Sequence, residues 1–226
     1  MKYFPKKQVE PCSIDSLIQY IEQNWTAVQR LDQVSGLVEK LMGVVKNKQQ
    51  ILKFIEEDIG KYQLKSYDNF YGENAIIIHK SNNYMLRLVV WQAKGLVDEY
   101  SSKVFAEDLF HNHNFQILTV GVWGPGYGTT MYSIEDEVKN YEPGDNISLV
   151  HEGSFTLEPG SVLFMDEYRD LHIQYLPNEV SVSLNIIATT DKKTSQLIVD
   201  HEKSKVISVS KQDNLRGYME LIIDKL

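Results

Sequence analysis

The sequence predicts a mainly β fold, an antiparallel β-barrel with an N-terminal α-helical layer and a short C-terminal helix. Three observations predict it. Apolar residues recur at steps of three and four through the first sixty residues. Many short strand-like segments then follow, and turn sequences rather than helical patterns separate them. Parallel folds built from βαβ units place helices between strands, so this order favours antiparallel pairing.

The first sixty residues contain three apolar stripes that are typical of amphipathic helices. Ser13 takes the N-cap position of the first helix, and Gly60 is placed to end the third. The stripes are formed by Ile14, Leu17, Ile18, Ile21, Trp25, Val28 and Leu31, by Val34, Leu37, Val38, Leu41, Val44 and Val45, and by Ile51, Leu52, Ile55 and Ile59. We interpret residues 1–65 as a helical segment packed on the barrel.

Short segments rich in β-forming residues occupy most of the chain from residue 75 to 188. Turn sequences such as GPGYG (124–128) punctuate them. The predicted strands are 75–79, 84–91, 115–123, 128–134, 146–151, 154–157, 161–166, 171–176 and 179–188. Two further strand-like pieces follow, and the apolar spacing at 212–225 predicts a helix. We therefore assign residues 66–226 to the barrel domain.

Composition and charge exclude several classes of function. The 226 residues carry a net charge of −8, and an acidic surface argues against binding nucleic acid or anionic membranes. The sequence contains no run of roughly 18 apolar residues, the length that a membrane-spanning helix needs. The N-terminal segment does not resemble a secretory signal. The single cysteine, Cys12, excludes an intrachain disulfide and indicates a reducing compartment, so a cytoplasmic location is predicted.

Two of the six histidines, His111 and His113, stand one residue apart at the start of a predicted strand. Side chains alternate along a strand, so both rings point to the same face. Imidazole nitrogen binds Fe(II), Cu, Ni and Zn. If that face is the barrel interior, the pair forms part of a metal site, with His172 as the best candidate for the third ligand. An HxH pair on an exposed strand would have no such role.

The order of HxH, then G-x5-P-G, then a late histidine resembles the cupin superfamily. The segments at 83–91 and 162–186 are closer to cysteine dioxygenase and related three-histidine thiol dioxygenases. This resemblance implies a cupin barrel, a double-stranded β-helix of the jelly-roll type. It also implies that His111, His113 and His172 hold Fe(II).

The chain departs from that family at several positions. The usual cupin glutamate falls at Ile117 or Leu118, which cannot bind metal, so a three-histidine site is favoured. The cysteine of the family's thioether crosslink also falls at Leu118. The family's Ser-x-His-x-Tyr motif appears as SLNII and retains only Ser183. The arginine that binds the amino-acid carboxylate falls near Asn74, and no arginine is there.

Further polar residues are predicted to line the pocket. Arg87 shares a strand face with Trp91, which the resemblance points into the barrel. A buried arginine needs an anionic partner, either a substrate carboxylate or a structural acidic residue. The other candidates for catalytic or substrate-binding roles, which could equally be ordinary polar barrel residues, are Tyr132, Gln174, Ser183 and Asn185.

The predicted function is that of a non-haem Fe(II)-dependent oxygenase. Its substrates would be O2 and a small carboxylate-bearing molecule, either an amino acid or thiol-like. The alternative is a cupin that holds zinc or another redox-inert metal and acts as a lyase, an isomerase or a ligand-binding protein. A third hypothesis is a metal-free binding or assembly module. None of them involves nucleic acid or a membrane, and a homodimer is left open because small cupin barrels often pair.

Overall fold

A computed structural model describes residues 1–63, 75–96, 109–135, 139–188 and 195–210. In these ranges the helices are α1 (Ile14–Asn24), α2 (Leu37–Val44) and α3 (Lys48–Gln63), with a 3-10 helix at Leu31–Gln33. The strands are β1 (Lys2–Phe4), β2 (Ala75–Lys80), β3 (Tyr84–Trp91), β4 (His111–Asn112), β5 (Gln116–Trp123), β6 (Gly128–Ile134), β7 (Leu149–Thr156), β8 (Val162–Met165), β9 (Asp170–Tyr175), β10 (Ser181–Ala188), β11 (Gln196–Asp200) and β12 (Lys205–Ser210).

The strands form two six-stranded sheets, and neighbouring strands pair antiparallel throughout both. Sheet A has the order β1-β8-β5-β10-β3-β2, and sheet B has the order β12-β11-β4-β9-β6-β7. Strands distant in sequence are neighbours in both sheets, as a jelly-roll arrangement requires. The predicted fold class, a mainly β double-sheet barrel with N-terminal helices, is confirmed.

The N-terminal helices share one apolar core with the outer face of sheet A. α1 begins as predicted, because the Ser13 side chain accepts a hydrogen bond from the Ser16 amide at 3.0 Å. α1 ends at Asn24, so the predicted first stripe is longer than the helix. Val28, a member of the stripe beyond that end, is 84% exposed. The third helix extends past Gly60 to Gln63, so the predicted end at Gly60 is wrong.

The first residues of the chain belong to sheet A. β1 pairs with β8 through Lys2 opposite Phe164 and Phe4 opposite Val162. Three residues are too few to show a strand period, so the sequence pattern did not indicate β1. Strands of sheet A, β1 and β2, thus precede and follow the helical segment in the sequence, and the segment packs on that sheet. The helix predicted at 212–225 lies outside the described residues.

A second apolar core fills the space between the two sheets. It contains the residues of sheet A that alternate with those facing the helices, together with residues of sheet B. Its members include Met85, Val89, Trp91, Ile117, Met131, Leu163, Met165 and Ile187. Polar side chains also face this interior. Arg87 on β3, Asn185 on β10 and Thr119 on β5 are register partners and form a polar row across sheet A. No helix in the described ranges is long and apolar enough to cross a membrane.

Candidate metal centre

Three histidines from separate places in the sequence meet in sheet B. His111 on β4 is the register partner of His172 on β9, and His113 follows β4 directly. One ligand atom from each of the three lies within 4.8 Å of those of the other two. The Nε2 atom of His172 is 3.0 Å from that of His113 and 3.3 Å from that of His111.

These nitrogen distances fit a shared metal ion better than hydrogen bonds between rings. A neutral imidazole carries one proton, so the single Nε2 of His172 cannot donate to both His111 and His113. Ligand nitrogens at the usual 2.0–2.1 Å from one ion stand roughly 3 to 3.4 Å apart in octahedral or tetrahedral geometry. In the part of the chain that the structure describes, no Asp, Glu or Cys joins the group.

Hydrogen bonds on the outer ring nitrogens orient two of the three histidines. His111 Nδ1 lies 2.9 Å from the Leu109 carbonyl, which can only accept, so Nδ1 carries the proton. Thr129 donates its hydroxyl proton to the Ile173 carbonyl at 3.1 Å, and its oxygen faces His172 Nδ1 at 3.4 Å. Both rings therefore keep an unprotonated Nε2, and this is the arrangement that metal-binding histidines show.

All three imidazoles are held in the neutral form. Burial lowers the pKa of His111 below its ordinary value, although the hydrogen bond to Leu109 acts in the other direction. Burial lowers the pKa of His113 and of His172 further, and the neighbouring histidines add to the effect. Neutral imidazole is the form that binds metal, so the site is prepared for a cation at neutral pH.

The middle residue of the HxH pair fastens it to two neighbouring elements. Asn112 is fully buried, and its Nδ2 donates to the Tyr168 carbonyl at 2.7 Å. Its Oδ1 accepts the amide proton of Leu197, the second residue of β11, at 2.6 Å. The Tyr168 amide donates in turn to the His113 carbonyl at 2.7 Å. Tyr168 makes these contacts with a φ of 64°, a conformation that is costly for a non-glycine residue.

Arg87 lies on the interior face of β3, on the side that also carries Met85, Val89 and Trp91. The residue is half-buried. Its positive charge contributes to the lowered pKa of His113 and acts on Tyr127 as well. Arg87 therefore lies near His113 and Tyr127 on the interior side of β3. Asn74, where the resemblance would place an arginine, is outside the described residues.

Ser183 and Asn185 also face the interior, and a hydrogen-bond chain joins them. The indole Nε1 of Trp91 donates to Ser183 Oγ at 3.0 Å. The Ser183 hydroxyl donates to Asn185 Oδ1 at 3.2 Å, and the Thr119 hydroxyl donates to the same oxygen at 2.5 Å. Both predicted residues thus line the barrel with Arg87.

Tyr132 does not join the site, which corrects the sequence prediction. Its strand neighbour Met131 is the register partner of His172 and is fully buried inside the barrel. Alternation then turns Tyr132 to the outer face of sheet B, where its hydroxyl lies 2.6 Å from His201 Nε2. The sequence showed which residues of this strand share a face, but not which face is inside.

Sequence reasoning missed Tyr127, which reaches into the barrel from the glycine-rich turn. Its ring is buried and lies 4.1 Å from that of Trp91, measured between centroids. Its hydroxyl lies near Thr119 and Gln174, and burial raises its pKa to about 12. Gly126 has a φ of 87°, which glycine adopts easily, and this backbone turn precedes the inward ring. A large aromatic residue between two glycines was the available signal.

Comparisons with known proteins show weak similarity to solved structures alone. No protein-family model matches the sequence, and no curated protein matches it. Hydroquinone 1,2-dioxygenase PnpCD, solved with Cd2+ and 4-hydroxybenzonitrile, aligns at 7% identity and a TM-score of 0.35, covering 57% of this chain and 71% of that one.

Two further similar structures are a DMSP lyase and a cupin-2 domain protein. The DMSP lyase DddQ from Ruegeria pomeroyi DSS-3 aligns at 10% identity and a TM-score of 0.33, covering 86% of this chain and 81% of the lyase. A cupin-2 domain protein from Shewanella frigidimarina aligns at 12% identity and a TM-score of 0.29, covering 60% and 98%. Likenesses this weak say nothing about activity, and the closer resemblance to cysteine dioxygenase stays a prediction.

Proposed function

We propose that this chain is a metal-dependent oxidoreductase, a non-haem Fe(II) oxygenase that acts on a small carboxylate-bearing molecule. The observation that carries the proposal is the convergence of three neutral imidazoles, with Nε2 atoms 3.0 and 3.3 Å apart. His111, His113 and His172 would hold the ion. An Fe(II) ion with three protein ligands keeps open positions for substrate and O2 and supplies the redox chemistry.

The protein's own residues would bind and orient the substrate. Arg87 faces the interior close to His113, and a guanidinium binds a carboxylate through two parallel hydrogen bonds. Buried apolar side chains such as Met85, Met131 and Met165 belong to the core of the same interior. A molecule with its carboxylate at Arg87 would place its other end toward the histidines. The thiol-like or amino-acid substrate rests on the family resemblance.

A zinc site is the second candidate, and the nitrogen spacing favours it equally. A tetrahedral ion with three histidines and one open position is the usual arrangement of a catalytic zinc. Zinc would polarise a bound substrate without redox chemistry, as in a lyase or an isomerase. The substrate would still be a small molecule that binds beside Arg87.

Metal analysis combined with O2 uptake separates the two candidates. The protein is purified without chelators, its metal is determined, and O2 consumption is measured with Fe(II) and a panel of thiols and amino acids. Bound iron with substrate-stimulated uptake supports the oxygenase. Tightly held zinc without uptake under any condition contradicts it and supports the second candidate.

Two remaining expectations belong to the same proposal. The single thiol favours a cytoplasmic location, and fractionation of the producing cells tests it. Gel filtration with light scattering distinguishes a monomer of 26.1 kDa from a homodimer.

A further inference from the structure

The carbonyl oxygen of the Asn185 side chain takes two hydrogen bonds from the barrel wall. Thr119 donates from β5 at 2.5 Å, and Ser183 donates from the same strand at 3.2 Å. Ser183 in turn accepts the indole proton of Trp91, a group that can only donate. Each proton in this series of hydrogen bonds has one acceptor, and the series ends at Asn185 Oδ1.

The opposite orientation of the Asn185 amide fits the same neighbours poorly. With Nδ2 in the place of Oδ1, the amide would donate to Thr119 and Ser183. The Thr119 proton could then turn to the nearby Tyr127 hydroxyl, but the described hydrogen bonds of Ser183 offer its proton no other acceptor. Leaving a buried hydroxyl without its hydrogen bond is unfavourable. The network therefore determines which way the amide points.

The fixed amide also determines which way its NH2 group points. β10 lies between β5 and β3, and Oδ1 is turned to Thr119 on β5. This orientation leaves Nδ2 on the side of the amide away from Thr119, and Arg87 on β3 is the register partner of Asn185. The two side chains thus face one interior from adjacent strands, and the guanidinium and amide NH2 groups are both hydrogen-bond donors.

We propose that Asn185 determines substrate specificity by presenting its NH2, beside Arg87, to an oxyanion on the substrate. The pair selects a planar carboxylate or a similar acceptor-only group with two oxygens, and it rejects an ammonium group at that position. The inference rests on the proposed function, because it concerns the substrate of the same site. It adds a second recognition residue and a reason for the choice of anion over cation.

The test compares propionate with propylamine as probes of the full-length protein. Both are titrated into the parent protein and into Asn185→Asp, followed by calorimetry and by the side-chain amide signals in 15N NMR spectra. Asp keeps an acceptor for Thr119 and Ser183, replaces the NH2 with an oxygen and pairs with Arg87. We expect propionate to shift the Asn185 amide signal, and propionate affinity to fall at least tenfold in the variant.

Two variants of Thr119 keep the test independent of Asn185 itself. Thr119→Val removes the hydroxyl that orients the amide and is expected to weaken propionate binding about threefold or more. Thr119→Ser keeps that hydroxyl and should restore parent affinity.

Metal content is measured for every variant, which separates the two proposals. Propionate affinity within twofold of the parent in Asn185→Asp, or propylamine bound by the parent as tightly as propionate, overturns the inference. Failure to bind any metal would contradict the proposed function while leaving the propionate result readable.

Discussion

The three histidines differ in how firmly each ring is held. His111 and His172 have partners on their outer nitrogens, whereas the Nδ1 of His113 is buried without one among the described residues. Ring stacking on Phe115, at 4.9 Å between centroids, is what supports His113 on its outer side. A ring held only by packing can adjust most easily when a metal binds.

Substitution of His172 with alanine should abolish metal binding. The change removes the ligand that contacts both other rings, so we expect metal content to fall from about one per chain to less than a tenth. Plasma emission spectrometry on protein purified without chelators measures it. His201→Ala is the matched control, because His201 lies on the outer face of sheet B beside Tyr132. Full metal content in His172→Ala would show that the third ligand is another residue.

The buried histidines should make the metal-free protein less stable in mild acid. Their folded-state pKa values lie below the unfolded value of about 6.5. Between those values the unfolded chain binds protons that the folded chain does not, so the free energy of unfolding falls as the pH falls. The slope is at most about 1.4 kcal/mol per pH unit per histidine.

Urea unfolding from pH 7.5 to 5 measures this dependence. His172→Ala should flatten it, whereas His201→Ala should leave it unchanged. A parent protein whose stability is constant over this range would contradict the assignment of neutral, buried rings.

At the scale of elements, the two-residue strand β4 depends on its neighbours for its position. Backbone pairing with β9 and β11 and the side chain of Asn112 hold it from three directions. A strand this short has little stability of its own, so the histidine pair is placed by tertiary contacts.

Replacing Asn112 with alanine should weaken both the fold and the site. The change leaves the Tyr168 carbonyl and the Leu197 amide without their buried partner, and we expect a loss of about 2 to 4 kcal/mol. Urea unfolding measures the stability, and competition with a chelating dye should show metal affinity reduced at least tenfold. Asn112→Asp retains the acceptor for Leu197 but sets an oxygen against the Tyr168 carbonyl, so it should lose stability as well. Unchanged metal affinity in a folded alanine variant would contradict the positioning role.

The helical layer meets the N-terminal arm at Gly43 of α2. A Cβ at this position would overlap the backbone of Glu10 and touch Cys12, so Gly43→Ala should cost about 1 to 3 kcal/mol. Thermal unfolding checks it. Gly128→Ala is the control, since an added Cβ there makes only ordinary contacts with Tyr175. Equal stability of the two variants would be inconsistent with this packing.

At the scale of the whole molecule, the two sheets contribute different residues to the candidate site. Sheet A gives one face to the helices and supplies the polar row of Arg87, Asn185 and Thr119 on the other. Sheet B supplies the histidines. The histidine cluster and this polar row thus lie on opposite walls of one interior. A large buried apolar cluster lies between sheet A and the helices, away from the histidines, so changes there should spare metal binding.

The sequence by itself determined much of this arrangement. Turn sequences and strand periods predicted the antiparallel barrel, and the HxH spacing predicted that His111 and His113 share a face. Alternation also predicted that Arg87 shares a face with Trp91. Such patterns are local, because they depend on residues a few positions apart.

Only the tertiary structure decided which faces are inside and which distant residues meet. Strand pairing brings His172 beside His111, turns Tyr132 outward and carries Tyr127 from a turn into the barrel. The physical reason is that alternation defines two faces of a strand without naming the buried one. The choice is made when the sheets pack, because each apolar face must find a partner surface.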